Sequence, residues 1–117
     1  MVFLCYPRCS TCKKAAGWLR AQGISVTARD ITTDNPSAAE LSHWQSMSEL
    51  PLKRFFNTSG LLYRSLELKD KLAKMSEEEQ LALLATDGML VKRPLLIGDD
   101  FVLLGFREAA WEEALCP

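Results

Sequence analysis

The sequence predicts an α/β domain in which a strand-helix-strand unit and a strand-strand-helix unit are separated by a helical block of about residues 34–90. Three observations predict it. Apolar runs of strand length stand near both ends of the chain, Val2-Phe3-Leu4-Cys5 at the start and Leu95-Leu96-Ile97 with Phe101-Val102-Leu103-Leu104 near the finish. Between Leu52 and Leu90 the apolar residues recur at helical spacing in short pieces. The composition, 48% hydrophobic and 25% charged over 117 residues, is that of one globular domain that needs no staples.

The elements follow in order. Val2–Cys5 is a continuous apolar run and reads as a buried strand. Lys13 to Leu19 carries apolar residues at helical spacing, and Gln22-Gly23 stops that helix. Ile24 to Ile31 alternates with period two, as a half-buried strand does, and the short connections suit a right-handed parallel crossover. A new helix is expected after Asp34, with Asn35 as N-cap, Pro36 at the first helical position and Leu41, Trp44 and Met47 on one face; Pro51 ends that run. Leu52, Phe55 and Phe56 form an apolar cluster, Asn57 to Gly60 breaks it, and a further segment carries Leu62, Leu66 and Leu72. Ser76-Glu77-Glu78-Glu79 is a capping box that opens another helix, and Asp87-Gly88 closes it. Gly98-Asp99-Asp100 is the turn of an antiparallel hairpin, and a last helix after Gly105 buries Ala110, Trp111, Ala114 and Leu115. The first and last units are the two halves of a thioredoxin-like layer, and the helical block is an insertion between them.

Charge and hydropathy narrow the function classes. A formal net charge of -1 with scattered basic residues leaves no electrostatic footprint for direct nucleic-acid binding. The first apolar run is broken by Tyr6-Pro7-Arg8, so no secretory leader is read there, and no segment reaches the roughly 18 to 20 apolar residues that span a bilayer. A cytoplasmic monomer is expected.

The chemistry concentrates in Cys9-Ser10-Thr11-Cys12, where a strand hands over to a helix. First-turn amides and the helix dipole favour negative charge there, so a thiol at that point ionises more easily than a free one. One thiol at the helix start and a second a turn deeper can exchange a disulfide with a partner and then close on each other. The alternatives are a structural disulfide framework and half of a zinc site. A reducing compartment argues against the first. Zinc needs four ligands, and only Cys5, Cys116 and His43 remain, with no second paired motif. No metal or other cofactor is therefore expected. Cys5 in its strand and Cys116 read as inert, and His43 as a surface residue. Lys13 and Lys14 either raise the potential around the thiols or form a solvated helix face. Thr11 caps the helix, hydrogen-bonds the Cys9 sulfur, or both.

Three features together, Tyr6 through Lys14 after the first strand, the long helical insertion and Lys92-Arg93-Pro94 before the hairpin, resemble the arsenate reductase-like family of the thioredoxin superfamily, which includes ArsC and the regulator Spx. The resemblance covers nearly the whole chain. It implies that Cys9 is the nucleophile, Cys12 the resolving thiol, and Arg93-Pro94 the family's cis-proline step, with Arg93 placing a permanent cation near Cys9. It also implies a substrate site of Arg8, Thr11, Lys53, Arg93 and Pro94. ArsC-type enzymes add two more arginines, and the matching positions here are Lys53, with Arg54 beside it, and Phe106, with Arg107 one place on. Many of them hold a single cysteine and take the second thiol from glutathione or glutaredoxin. Two functions are therefore expected side by side. One is a thiol-disulfide enzyme resembling arsenate reductases, restored by thioredoxin, glutaredoxin or glutathione; the other is an Spx-like redox-sensing regulator that binds the RNA polymerase alpha subunit.

Overall fold

A computed structural model describes residues 1–116; Pro117, the last residue of the single domain expected, lies outside the described residues. At its centre is strand β1 (Val2–Cys5), linked through helix α1 (Ser10–Ala21) to strand β2 (Thr27–Asp30). The insertion contributes α2 (Ala38–Ser48), α3 (Leu61–Ser65), α4 (Leu68–Lys71) and α5 (Glu77–Leu84), with 3-10 turns at Leu52–Phe55, Leu72–Lys74 and Gly88–Leu90. Strands β3 (Leu95–Ile97) and β4 (Val102–Leu104) and helix α6 (Glu108–Leu115) complete the chain. The sheet order is β2-β1-β3-β4; β1 runs parallel to β2 and antiparallel to β3, and β3 and β4 form the hairpin. This is a mixed α/β, thioredoxin-like fold. No helix among the described residues is long and apolar enough to cross a membrane.

The pleat of the sheet separates two cores. Phe3 and Leu96, directly opposite on β1 and β3, face one side and pack with Ala15 and Leu19 of α1 and Trp111 of α6. Leu4 and Leu95 face the other side, where Leu41 and Trp44 of α2, Phe55, Phe56, Leu84 and Leu90 close over them. Both faces of β1 are covered, which is why its sequence is a run rather than an alternation. The insertion therefore supplies one entire layer of the core.

Several boundaries differ from the sequence expectation. Strand β2 spans four residues instead of eight, because β1 begins at Val2, whose partner is Thr27, and earlier residues have no strand to pair with. Ile24 and Val26 instead pack beside α1, and Ile31 is fully buried beneath the insertion. The N-cap of α2 is Ser37, not Asn35: Ser37 Oγ accepts the Glu40 N–H at 3.1 Å, and Glu40 Oε1 accepts the Ser37 N–H at 3.1 Å. Asn35 is drawn away because its Nδ2 donates to the Ala85 carbonyl at 2.7 Å, tying the start of the insertion to the end of α5. The Ser76–Glu79 capping box opens α5 as expected, but that helix ends at Leu84, and Asp87 instead caps the 3-10 turn through the Met89 N–H at 2.9 Å. At Gly88 a side chain would strike the Ile31 carbonyl, so this turn can lie against β2 only with glycine there. In α6 the buried face is Trp111 with part of Leu115; Ala110 and Ala114 are exposed, because the helix is short and rests on the sheet through one large side chain.

Candidate active site

The motif is set by the way β1 ends. Cys9 is the N-cap of α1 in extended conformation (φ -86°, ψ 123°), its N–H donating to the Tyr6 carbonyl at 3.0 Å and its carbonyl accepting the Lys13 N–H at 3.0 Å. The Cys9 sulfur makes no capping bond within ordinary limits as a neutral thiol. The Thr11 and Cys12 amides, the Arg93 guanidinium and the Cys12 thiol are nevertheless placed to stabilise it as it ionises. Burial works to raise the Cys9 pKa, but the Cys12 amide, Arg93, the Cys12 thiol and the Thr11 amide outweigh it, and Cys9 is held below its ordinary value.

Cys12 lies one turn deeper and is 2% exposed, and both cysteines are free thiols. Its sulfur accepts the Tyr6 N–H at 3.4 Å. Burial pushes its pKa up to about 12, against the Tyr6 N–H, which favours the thiolate; the neighbouring Cys9 and Cys5 add to the rise. The two thiols are thus polarised in opposite senses. Cys5 is half-buried, and burial, Asp30 and Cys9 raise its pKa. That environment keeps it protonated.

Arg93 faces Cys9 from the step into β3, and the Arg93-Pro94 peptide is cis. Its guanidinium lies over the Tyr6 ring, 5.3 Å from the centroid, and Nη1 approaches the Met89 sulfur at 3.9 Å, while Nε is buried without a hydrogen-bond partner. An aromatic face and a thioether hold the cation without neutralising it. Among the described residues the ion pairs are those of Arg29, with Asp34 at 3.3 Å and Glu40 at 2.7 Å, so the charge of Arg93 remains available to Cys9.

In front of Cys9 opens a cleft of about 680 Å³. Of the residues expected at the site, Cys9, Thr11, Lys53 and Arg93 line it together, Cys12 is buried behind Cys9, and Pro94 is buried at the root of β3. Arg8 is exposed in the turn between Tyr6 and Cys9 and lies outside the lining. Arg54 and Arg107, each beside a matching position, both line the cleft, as do Lys92 and the Asn57–Gly60 loop. That loop reads in the sequence only as a helix break. It is drawn to the site by two strand-like bonds, Lys92 N–H to the Phe55 carbonyl and Asn57 N–H to the Leu90 carbonyl, each 2.7 Å. Tyr6, which touches both Cys12 and Arg93, is a contributor that spacing alone does not disclose. His43 is exposed on α2 and takes no part, and Lys13 and Lys14 are exposed on α1. Among the described residues no group of three or more His, Cys, Asp or Glu converges as a metal site.

Comparison with known proteins bears on the family and the fold. The pattern of the ArsC family matches residues 4–114. The chain is 50% identical over 113 residues to the uncharacterized protein YusI of Bacillus subtilis (strain 168), covering 97% of this chain and 96% of YusI. It is 26% identical over 102 residues to the global transcriptional regulator Spx of Streptococcus pneumoniae (strain ATCC BAA-255 / R6), covering 87% of this chain and 75% of Spx. Among solved structures it is similar to an ArsC family related protein from Bacteroides fragilis, with 54% identity, a TM-score of 0.93 and coverage of 96% of this chain and 94% of the other. A possible arsenate reductase from Streptococcus mutans UA159 gives 43% identity and a TM-score of 0.89 over 97% of each chain.

Proposed function

The chain belongs to the ArsC family, and from that premise we propose that it is a thiol-disulfide redox protein resembling arsenate reductases, with Cys9 as nucleophile and Cys12 as resolving thiol. The observation that carries the reading is the opposite polarisation of two adjacent thiols: Cys9, at the cleft, is shifted toward thiolate, whereas Cys12, behind it, is held protonated with a pKa of about 12. The Cys9 thiolate attacks a sulfur of the substrate disulfide, forming a mixed disulfide and expelling the other half as a thiolate. Cys12 then gives up its proton and attacks the Cys9 sulfur, closing the Cys9–Cys12 disulfide and releasing the remaining half. Two electrons pass from the protein dithiol to the substrate. Thioredoxin, glutaredoxin or glutathione then returns two electrons to the pair.

Arg93 stabilises the thiolate and any oxyanion bound beside it, and Thr11 and Lys53 contact the bound substrate. Pro94, at the root of β3, keeps Arg93 at the mouth of the site. The test follows disulfide and arsenate reduction with each regenerating system. Cys9→Ser is expected to abolish both activities, and Cys12→Ser to stop at a mixed disulfide detectable by mass. Activity unchanged in Cys9→Ser would overturn the assignment.

One observation favours a second reading, a redox-sensing regulator that binds the RNA polymerase alpha subunit: the similarity to Spx over 87% of the chain. Retention by the immobilised alpha subunit, compared in the oxidised and reduced states, separates the two readings. The enzyme reading is preferred because Cys9 faces a cleft of ligand size.

A further inference from the structure

The cleft carries five cations, Lys53, Arg54, Lys92, Arg93 and Arg107, and no carboxylate among its lining residues. None of the five is in an ion pair among the described residues. The chain has 14 Lys and Arg against 15 Asp and Glu, so outside the cleft nine cations stand among all fifteen acids. A protein that is almost neutral as a whole is thus divided into a basic cleft and an acidic exterior. Such an arrangement focuses field lines into the concavity and repels anions elsewhere.

Size adds a second constraint. At about 680 Å³ the cleft falls in the range that encloses ligands of drug or short-peptide size. A single tetrahedral oxyanion has five heavy atoms and fills only a small part of it. Arg93 and the Thr11 and Cys12 amides are gathered at Cys9 itself. The four further cations come from three separate segments: the Leu52–Phe55 turn, the approach to β3 and the start of α6. They are spread along the walls, where they meet negative charges distributed along an extended ligand. Phe56, Leu104 and Phe106 supply apolar surface between them.

We propose that the cleft selects disulfides whose substituents carry two or more carboxylates, the anionic groups resting on Lys53, Arg54, Lys92 and Arg107 while the disulfide sulfur meets Cys9. This rests on the thiol-disulfide reading above. Cys9 attacks the sulfur of the acidic substituent, the other sulfur leaves with its electron pair and takes a proton, and Cys12 displaces the acidic thiol as in the general scheme. The carboxylates are bound and not transformed. Carboxylates flanking a disulfide occur in acidic peptide segments and in small polycarboxylate thiols, and the assay distinguishes the two.

The experiment mixes the fully reduced protein with 2-pyridyl disulfides of the peptides Glu-Cys-Glu, Gln-Cys-Gln and Lys-Cys-Lys and of mercaptosuccinate. Release of pyridine-2-thione is followed in a single turnover, and each rate is divided by that of the same compound with 2-mercaptoethanol. The acidic peptide is expected to exceed the neutral one by about tenfold or more at low ionic strength, with the basic peptide slowest. The preference is expected to collapse near 1 M salt, where the screening length falls to about 3 Å. Arg107→Glu should lower the acidic-to-basic rate ratio by at least about tenfold, a ratio that general damage to the fold does not move. Preference for mercaptosuccinate without preference for the acidic peptide assigns the cleft to small thiols, and the reverse assigns it to peptide segments. Equal normalised rates for all compounds overturn the inference and leave the redox reading standing. No reaction with any of them overturns both.

Discussion

Trp111 links the last helix to the wall of the cleft, and its replacement by phenylalanine has a calculable cost. The indole is 1% exposed, its Nε1–H donates to the Gly105 carbonyl at 3.0 Å, and its ring meets Phe106 edge-on at 5.0 Å and Phe3 at 6.4 Å. Gly105 is itself buried with φ +69°, and its N–H donates to the Pro94 carbonyl at 2.8 Å, so this carbonyl cannot simply turn toward water. Trp111→Phe removes roughly 40 Å² of buried apolar surface, about 1 kcal/mol, and orphans the Gly105 carbonyl at about 1–3 kcal/mol. The sum is about 3 kcal/mol. For a chain of this length that lowers Tm by about 10 °C. Urea unfolding of the reduced protein, followed by far-UV circular dichroism, should show the midpoint falling at constant m. Gly105, Phe106 and Arg107 line the cleft, so catalytic efficiency should fall in the same variant. A loss below about 1 kcal/mol would refute the reasoning, because it would mean that the carbonyl finds another donor at no cost.

Arg93→Met should move the alkylation profile of Cys9 by iodoacetamide to higher pH, because the guanidinium favours the thiolate, and Arg93→Lys should recover only part of the effect; an unmoved profile would remove Arg93 from Cys9 activation. Glu40 is held near a pKa of about 2, chiefly by the hydrogen-bonded Arg29 guanidinium and against burial, with the Ser37 amide helping. A depressed carboxylate stabilises the fold above its unfolded pKa and loses that stabilisation as pH falls through the folded value. The nominal contribution of about 3 kcal/mol shrinks to about 1 kcal/mol after solvent screening, because the side chain is 39% exposed. Glu40→Gln should therefore be less stable than the parent by about 1 kcal/mol at pH 7 and equal to it near pH 2, as measured by urea unfolding at a series of pH values.

The order of elements was legible in the sequence wherever a local pattern carried it. Val2–Cys5, the Ser76–Glu79 capping box and the Gly98–Asp100 turn are statements about neighbouring residues, and each stands in the structure as expected. Expectations failed where a distant partner intervened. Strand β2 is short because β1 is short, and Asn35 gives up its cap because Ala85, fifty residues away, offers a half-buried carbonyl. Ala110 and Ala114 look core-forming, but Trp111, with part of Leu115, fills the space between α6 and the sheet.

The sequence by itself determined the thiol pair, because the spacing of Cys9 and Cys12 across a helix start is a local property: one residue stands at the N-cap position and the other lies one turn inside the helix. Beyond the Thr11, Lys53 and Arg93 that the family resemblance implied, only the tertiary structure decided what surrounds that pair. Lys53 and Arg54, Lys92 and Arg93, and Arg107 come from three distant segments, and nothing in their spacing announces that they share one cleft. They converge because the Phe55–Lys92 and Asn57–Leu90 hydrogen bonds draw the insertion to the approach to β3, and because Trp111 holds Gly105 beside it. Charges gathered by hydrogen bonds across long loops leave no periodic trace in a chain, whereas a thiol pair on one helical turn does.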